Sequence, residues 1–179
     1  MHTMGLSRVF GPILLFYINM KILFLDVDGV LNNANTLKNQ GRNGWPLNHL
    51  DASRVELLNQ IVDKTDCQIV LSSSWRSFFT WSAFAQVLTQ KGFRHPDKFI
   101  GQTPRANFDN RGMEIASWLQ DNAVMGETHF VILDDDADMA HLMLNLVQTS
   151  WNDGLTPEIA EQVICRLTTD QASSKVESR

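Results

Sequence analysis

Three short apolar runs, each followed at once by polar residues, constrain this chain more than any other feature of it. Ile22-Leu23-Phe24-Leu25 leads into Asp26 and Asp28, Ile69-Val70-Leu71 into Ser72-Ser73-Ser74, and Phe130-Val131-Ile132-Leu133 into Asp134-Asp135-Asp136. Continuous apolar runs of this length are strands buried on both faces, the mark of a parallel sheet covered by helices. Amphipathic stretches lie between them. Val55, Leu58, Ile61 and Val62 share one face of a helix over Asp51 to Asp66. Phe78, Trp81, Phe84, Ala85 and Leu88 trace a second helical face that ends near Gly92, and Ile115, Trp118 and Leu119 mark a third helix after Asn110. Ile100-Gly101 and Leu146-Val147-Gln148 read as further short strands. Thr156-Pro157, a cap followed by proline at the first helical position, opens a last helix through Leu167. The expected fold is α/β, doubly wound, with a mostly parallel sheet.

The expected organisation is one domain over residues 20–168, preceded by an extension (1–19) and followed by a polar tail (169–179) that frays. Within the extension, Val9 to Ile18 is shorter than the roughly 20 apolar residues a spanning helix needs. It has the length of a signal-peptide core, but no small-residue cleavage site precedes Met20. An extra edge strand or helix competes here with translated upstream sequence ahead of Met20, and the second reading is preferred. Nothing else resembles a membrane segment, so a cytoplasmic protein is expected. Asn32 to His49, with Gly41, Gly44 and Pro46, reads as a polar excursion over the surface. At 44% hydrophobic and 20% charged residues, overall disorder, a collagen-like repeat and a disulfide-stapled miniprotein are excluded. A net charge of -5 argues against a generic nucleic-acid coat protein and leaves room for a local basic patch. Cys67 and Cys165 form neither a zinc pattern nor a disulfide framework; both are expected as buried thiols in a reducing compartment.

In open parallel sheets the ligand site lies beyond the carboxyl ends of the strands, at the topological switch point. Three strands here deliver polar, mostly acidic groups to that edge. Crowded carboxylates repel, and some protonate unless a cation neutralises them. Mg²⁺ suits such a cluster, because it takes hard oxygen ligands and keeps positions for water and substrate phosphate. One carboxylate can then attack phosphorus to give an aspartyl-phosphate. A second, two residues on, can protonate the leaving oxygen and later activate water. Serine hydroxyls and an arginine can hold the phosphoryl oxygens as charge redistributes.

These residues match a family. Asp26-Val27-Asp28-Gly29-Val30 after an apolar strand resembles the first signature of the haloacid dehalogenase (HAD) superfamily. The serine after the second strand resembles its second signature, a basic residue ahead of the third apolar run its third, and Asp134-Asp135 its fourth. More narrowly, FLDVDGVLN, IVLSSSWR, the stretch from RGMEI to WL, and VILDDD in this order are similar to the HAD domain of Swiss Army knife RNA-repair proteins. A lone DxDG is a weak signal; four motifs in order at strand ends are strong. The resemblance covers Lys21 to about Leu167. It implies Asp26 as nucleophile and metal ligand, and Asp28 as general acid/base that also offers its backbone carbonyl to the metal. It implies Asp134 and Asp135 as holders of Mg²⁺, directly or through water. Ser73 would bind the phosphoryl group, with Ser72 a near-equal candidate. Arg111 fits the third signature, where Lys is commoner, and Arg105 is the reserve.

Plainer readings apply elsewhere. Asp136 and Asp138 suit a helix start favoured by the macrodipole, one or two of the serines cap the following helix, and Trp75 is read as packing. Met139 and Met143 are read as core filler. His49, His95, His129 and His141 lack metal-ligand spacing. Arg76 either reaches phosphate or braces the acidic edge. Within the family, Asp at position 28 resembles the phosphatases and phosphomutases, and the chain has little room for a cap domain. A capless, open site admits a macromolecular end. The expected activity is therefore Mg²⁺-dependent phosphomonoester hydrolysis, with a nucleic-acid 3′-phosphate end as the preferred substrate. Arg42 is the phosphate-seeking residue of the Asn32–His49 flap. The alternatives are a small-metabolite or nucleotide phosphatase and a non-catalytic HAD-fold binding module.

Overall fold

A computed structural model describes residues 20–40, 45–105, 110–122 and 128–169. The extension over 1–19, Arg42, and the tail from 170 onward lie outside the described residues. Five parallel strands, β1 (Lys21–Leu25), β2 (Gln68–Leu71), β3 (Phe99–Gln102), β4 (His129–Asp134) and β5 (Leu146–Gln148), form one sheet in the order β3-β2-β1-β4-β5. The chain steps outward from β1 to β3, then returns to β4 on the other side of β1. The switch point therefore lies between β1 and β4.

The described helices are α1 (Ala34–Gln40), α2 (Ala52–Thr65), α3 (Trp81–Thr89), α4 (Arg111–Asp121) and α5 (Pro157–Thr168). Successive strand residues face opposite sides of a sheet, and the core divides accordingly. Leu23, Leu25, Ile69, Leu71, Val131 and Leu133 pack with residues of α2, α3 and α5. Ile22, Phe24, Val70 and Ile132 pack with Ile115, Trp118 and Leu119 of α4 and with Met139 and Leu142. Each fully buried aliphatic side chain contributes about 1.5–3 kcal/mol, which is why these strands carry no polar residue until their ends. No described helix is long and apolar enough to cross a membrane.

Register delivers the site. Leu25 pairs with Leu71 of β2 and with Leu133 of β4, so the next residues, Ser72, Asp26 and Asp134, stand side by side. The ladder runs on past the strands: Ser72 N–H donates to Leu25 O at 2.9 Å, Asp26 N–H to Leu133 O at 3.0 Å, and Thr149 N–H to Asp134 O at 2.9 Å.

Several expectations need correction. Asn32 to His49 is not simply a surface excursion: Asn32 and Asn33 are buried, α1 follows, and a 3-10 turn spans Leu47–His49. The Asn33 side chain accepts from the backbone N–H groups of Asn35 (3.1 Å) and Thr36 (2.9 Å), which opens α1 without any apolar periodicity. Phe78 is not on the face of α3. Ser73 caps a 3-10 helix over Ser74–Ser77, and Thr80 caps α3 afresh, leaving Phe78 between the two and 70% exposed. Cys67 is buried, and burial pushes its thiol up to about 11, but Cys165 is exposed on the outer side of α5. Met139 is core, whereas Met143 is largely exposed in the 3-10 helix Ala140–Asn145.

Candidate active site

Asp26 ends the apolar run of β1 and is buried, as is Asp134 at the end of β4. Their carboxylates are bridged by one cation. Arg111 Nη1 donates to Asp26 Oδ1 at 3.0 Å and to Asp134 Oδ2 at 3.1 Å. Arg111 is the first residue of α4, and the helix start is fixed against the loop after β4. Arg111 N–H donates to Asp138 Oδ2 at 3.0 Å and Gly112 N–H to Asp138 O at 3.2 Å. A Cβ at position 112 would stand 2.1 Å from the Met139 carbonyl oxygen, so only glycine permits this approach. Arg111, rather than the exposed Arg105, is thus the basic residue that meets the carboxylates.

Asp135 completes the acidic group. Carboxylate oxygens of Asp26, Asp134 and Asp135 lie within 4.8 Å of one another. Asp135 reaches this position over Gly29, whose φ is +69°; a Cβ there would stand 2.4 Å from Asp135 Cγ. The electrostatics follow from burial. Desolvation raises the Asp26 carboxyl above its ordinary value, and the Arg111 guanidinium opposes that rise. Desolvation, and then the Asp26 charge, push Asp134 up to about 7 against the pull of Arg111. Asp135 is raised by burial and by Asp26. Burial disfavours the Arg111 charge, but the Asp26 and Asp134 carboxylates outweigh it and raise its pKa. Among the described residues, one guanidinium bridges two of the three carboxylates of this group. An oxygen-rich, partly desolvated group of this kind fits a hard divalent cation such as Mg²⁺.

Asp28, two residues on, is not part of that group. Its Oδ1 accepts from Asn32 Nδ2 at 2.8 Å and its Oδ2 from Trp75 Nε1 at 3.0 Å. Asn32 Oδ1 accepts from Gly29 N–H at 2.9 Å, and Thr149 Oγ1 donates to Gly29 O at 2.7 Å. The turn bearing Asp28 is therefore held from both sides. The sequence placed Asn32 at the head of a surface excursion and read Trp75 as packing. Trp75 is indeed buried, but it is also a hydrogen-bond donor to Asp28.

Both candidate serines are buried. The Ser73 side chain lies near enough to Asp26 to favour its ionised carboxylate, and its Oγ accepts from Trp75 N–H at 3.3 Å. Ser72 Oγ, beside Asp26 in the register row, is buried without a hydrogen-bond partner among the described residues. Arg76 turns away from the carboxylates. Its Nη1 donates to the carbonyls of Ser72 and Ser73, each at 2.6 Å, and it forms a buried ion pair with Glu114 of α4. Of the two roles open to Arg76, bracing is the one its contacts serve.

The model of the family described as "HAD domain in Swiss Army Knife RNA repair proteins" matches residues 22–160. The chain belongs to this family. Its sheet is that of a HAD-like Rossmannoid, and the family places it among HAD-type hydrolases. No curated protein is significantly similar to the chain. A crystal structure is similar over 84% of this chain and 81% of its own, at 12% sequence identity and a TM-score of 0.44.

Proposed function

We propose that this HAD domain is a phosphomonoester hydrolase that works through an aspartyl-phosphate and acts on the 3′-phosphate end of a nucleic acid. One observation carries the reading: a buried aspartate bridged by arginine to a second aspartate, with a third acid two residues on, held by neutral donors and outside the cluster. Asp26, Asp134 and Asp135, with the backbone carbonyl of Asp28, would hold Mg²⁺. The ion supplies charge that offsets the carboxylates and polarises the phosphoryl oxygens. Asp26 attacks phosphorus as its bond to the ester oxygen breaks. Asp28 gives its proton to that leaving oxygen, then takes one from the water that cleaves the acyl phosphate and releases Asp26 and inorganic phosphate. Ser73, with Ser72 beside it, and Arg111 bind the equatorial oxygens as their charge develops.

The nucleic-acid end is supported by the family's description and by the small insertion after β1, whose described part holds only α1 and one 3-10 turn. The test is hydrolysis, with and without Mg²⁺, of nucleotides, sugar phosphates and 5′- or 3′-phosphorylated oligonucleotides. Highest kcat/KM on the 3′-phosphorylated oligonucleotide, lost with EDTA, is expected. Higher efficiency on a mononucleotide or sugar phosphate would move the reading to a metabolite phosphatase. Activity on none would leave a binding module.

A further inference from the structure

A group of aromatic rings opens to solvent on the Asp28 side of the site. Trp45 is 42% and Phe78 70% exposed. Trp45 stacks on Phe79 with centroids 5.2 Å apart and meets Phe78 edge-on at 5.4 Å. It also lies 5.6 Å from the ring of Trp75, whose indole N–H donates to Asp28 Oδ2 at 3.0 Å. One buried ring thus separates this exposed aromatic surface from Asp28.

We infer that Trp45 and Phe78 form a stacking platform for the base of the nucleotide that carries the scissile phosphate. The inference rests on the phosphatase reading and names what the leaving group touches. If Asp28 protonates the leaving oxygen, the leaving group extends toward Asp28, whose Oδ2 touches Trp75, with Trp45 the next ring out. A sugar phosphate would leave those rings bare. A phosphotyrosyl group carries its ring directly on the ester oxygen, against Asp28 and short of the exposed rings. A nucleoside 3′-phosphate sets its base a sugar's width from the ester oxygen, which matches an aromatic surface one ring beyond the acid. Every base has a π-face, so such a platform accepts any terminal base.

A cycle of ring and base deletions tests this. Affinity for a 3′-phosphorylated oligonucleotide is measured by fluorescence anisotropy with Asp26→Asn full-length protein and Mg²⁺, alone and combined with Phe78→Ala, Trp45→Ala or Trp45→Phe. Each protein is also given the same oligonucleotide with an abasic terminal residue. Removing the base is expected to weaken binding roughly 10-fold when both rings are present. It should weaken binding far less after Phe78→Ala or Trp45→Ala, and Trp45→Phe should restore most of the difference. Phe78→Ala, at an exposed position, carries the test if Trp45→Ala fails to fold. Equal base dependence in all proteins would overturn the inference, as would a larger effect of the ring deletions on a phosphotyrosyl peptide. Binding decides this even if no phosphomonoester is hydrolysed, whereas inactivity of the wild type alone would count against the phosphatase reading only.

Discussion

Trp75 Nε1 lies 3.0 Å from Asp28 Oδ2 and donates a hydrogen bond to it. The indole is buried and packs against the rings of Phe79 and Phe84, so the donor is fixed by packing. A typical intramolecular hydrogen bond contributes about 0.5–1.5 kcal/mol net. Its role is positional: it sets the direction in which Asp28 presents its proton. Trp75→Phe keeps most of the packing and removes the donor. It is expected to lower kcat about 10-fold on substrates with alkyl leaving groups, with little change in KM. Activated aryl phosphates, which need less proton transfer, should be affected less. Equal losses on both classes would assign Trp75 a structural role only.

Asp26 and Asp28 should separate by substitution. Asp26→Asn is nearly isosteric but offers a poor nucleophile, so hydrolysis should be abolished while the melting temperature stays within a few degrees. Asp28→Asn should slow turnover by about 10²–10⁴-fold, the usual scale of lost acid–base catalysis. Rapid-quench detection of phosphoenzyme in wild type, none in Asp26→Asn and slower breakdown in Asp28→Asn is the expected set. Substantial turnover by Asp26→Asn would remove the covalent mechanism.

Much of this site was legible because strands buried on both faces write themselves as unbroken apolar runs. The residue after each run then falls at the sheet edge with no further assumption, and Asp26, Ser72 and Asp134 do stand in register. Arg111 followed from the order of motifs. What periodicity could not reveal was polar structure held by side-chain hydrogen bonds. Helix α1 is opened by Asn33, and Asn32 is buried because it satisfies Asp28 and Gly29 together. Apolar spacing carries Phe78 onto the face of α3, but the cap at Thr80 starts that helix afresh and leaves Phe78 outside it. The approach of Trp45 to Trp75 joins segments thirty residues apart in sequence and has no local signal.

The ion pair of Arg76 with Glu114 ties the turn after β2 to α4, the helix that presents Arg111. Both side chains are largely buried, and Arg76 also donates to the carbonyls of Ser72 and Ser73. Removing one partner leaves a charge without compensation, at a cost of about 3–5 kcal/mol. Glu114→Ala is therefore expected to shift the urea midpoint strongly, and the paired replacement Arg76→Met with Glu114→Leu less than either alone. Equal, additive losses would mean that the two residues do not act as a pair.

The raised carboxyls predict an inverted pH dependence of stability. Asp134 is pushed up to about 7, and Asp26 and Asp135 are raised as well, above an ordinary value of 3.8. Between those limits the folded state binds more protons than the unfolded chain, so stability falls as pH rises. With EDTA present, the domain should lose stability between about pH 4 and pH 7 through these groups, Asp134 above all. Mg²⁺ competes with those protons, since a carboxylate ligand must be ionised. Its stabilisation, read as a rise in Tm, should therefore be larger at pH 7.5 than at pH 5. Asp134→Asn should flatten the EDTA profile, and Asp134→Ala should shrink the Mg²⁺ gain. The measurement is Tm by circular dichroism across a pH series, with EDTA or Mg²⁺, for wild type and both variants. A Mg²⁺ gain that is the same at both pH values, or that survives intact in Asp134→Ala, would place the ion elsewhere on the protein.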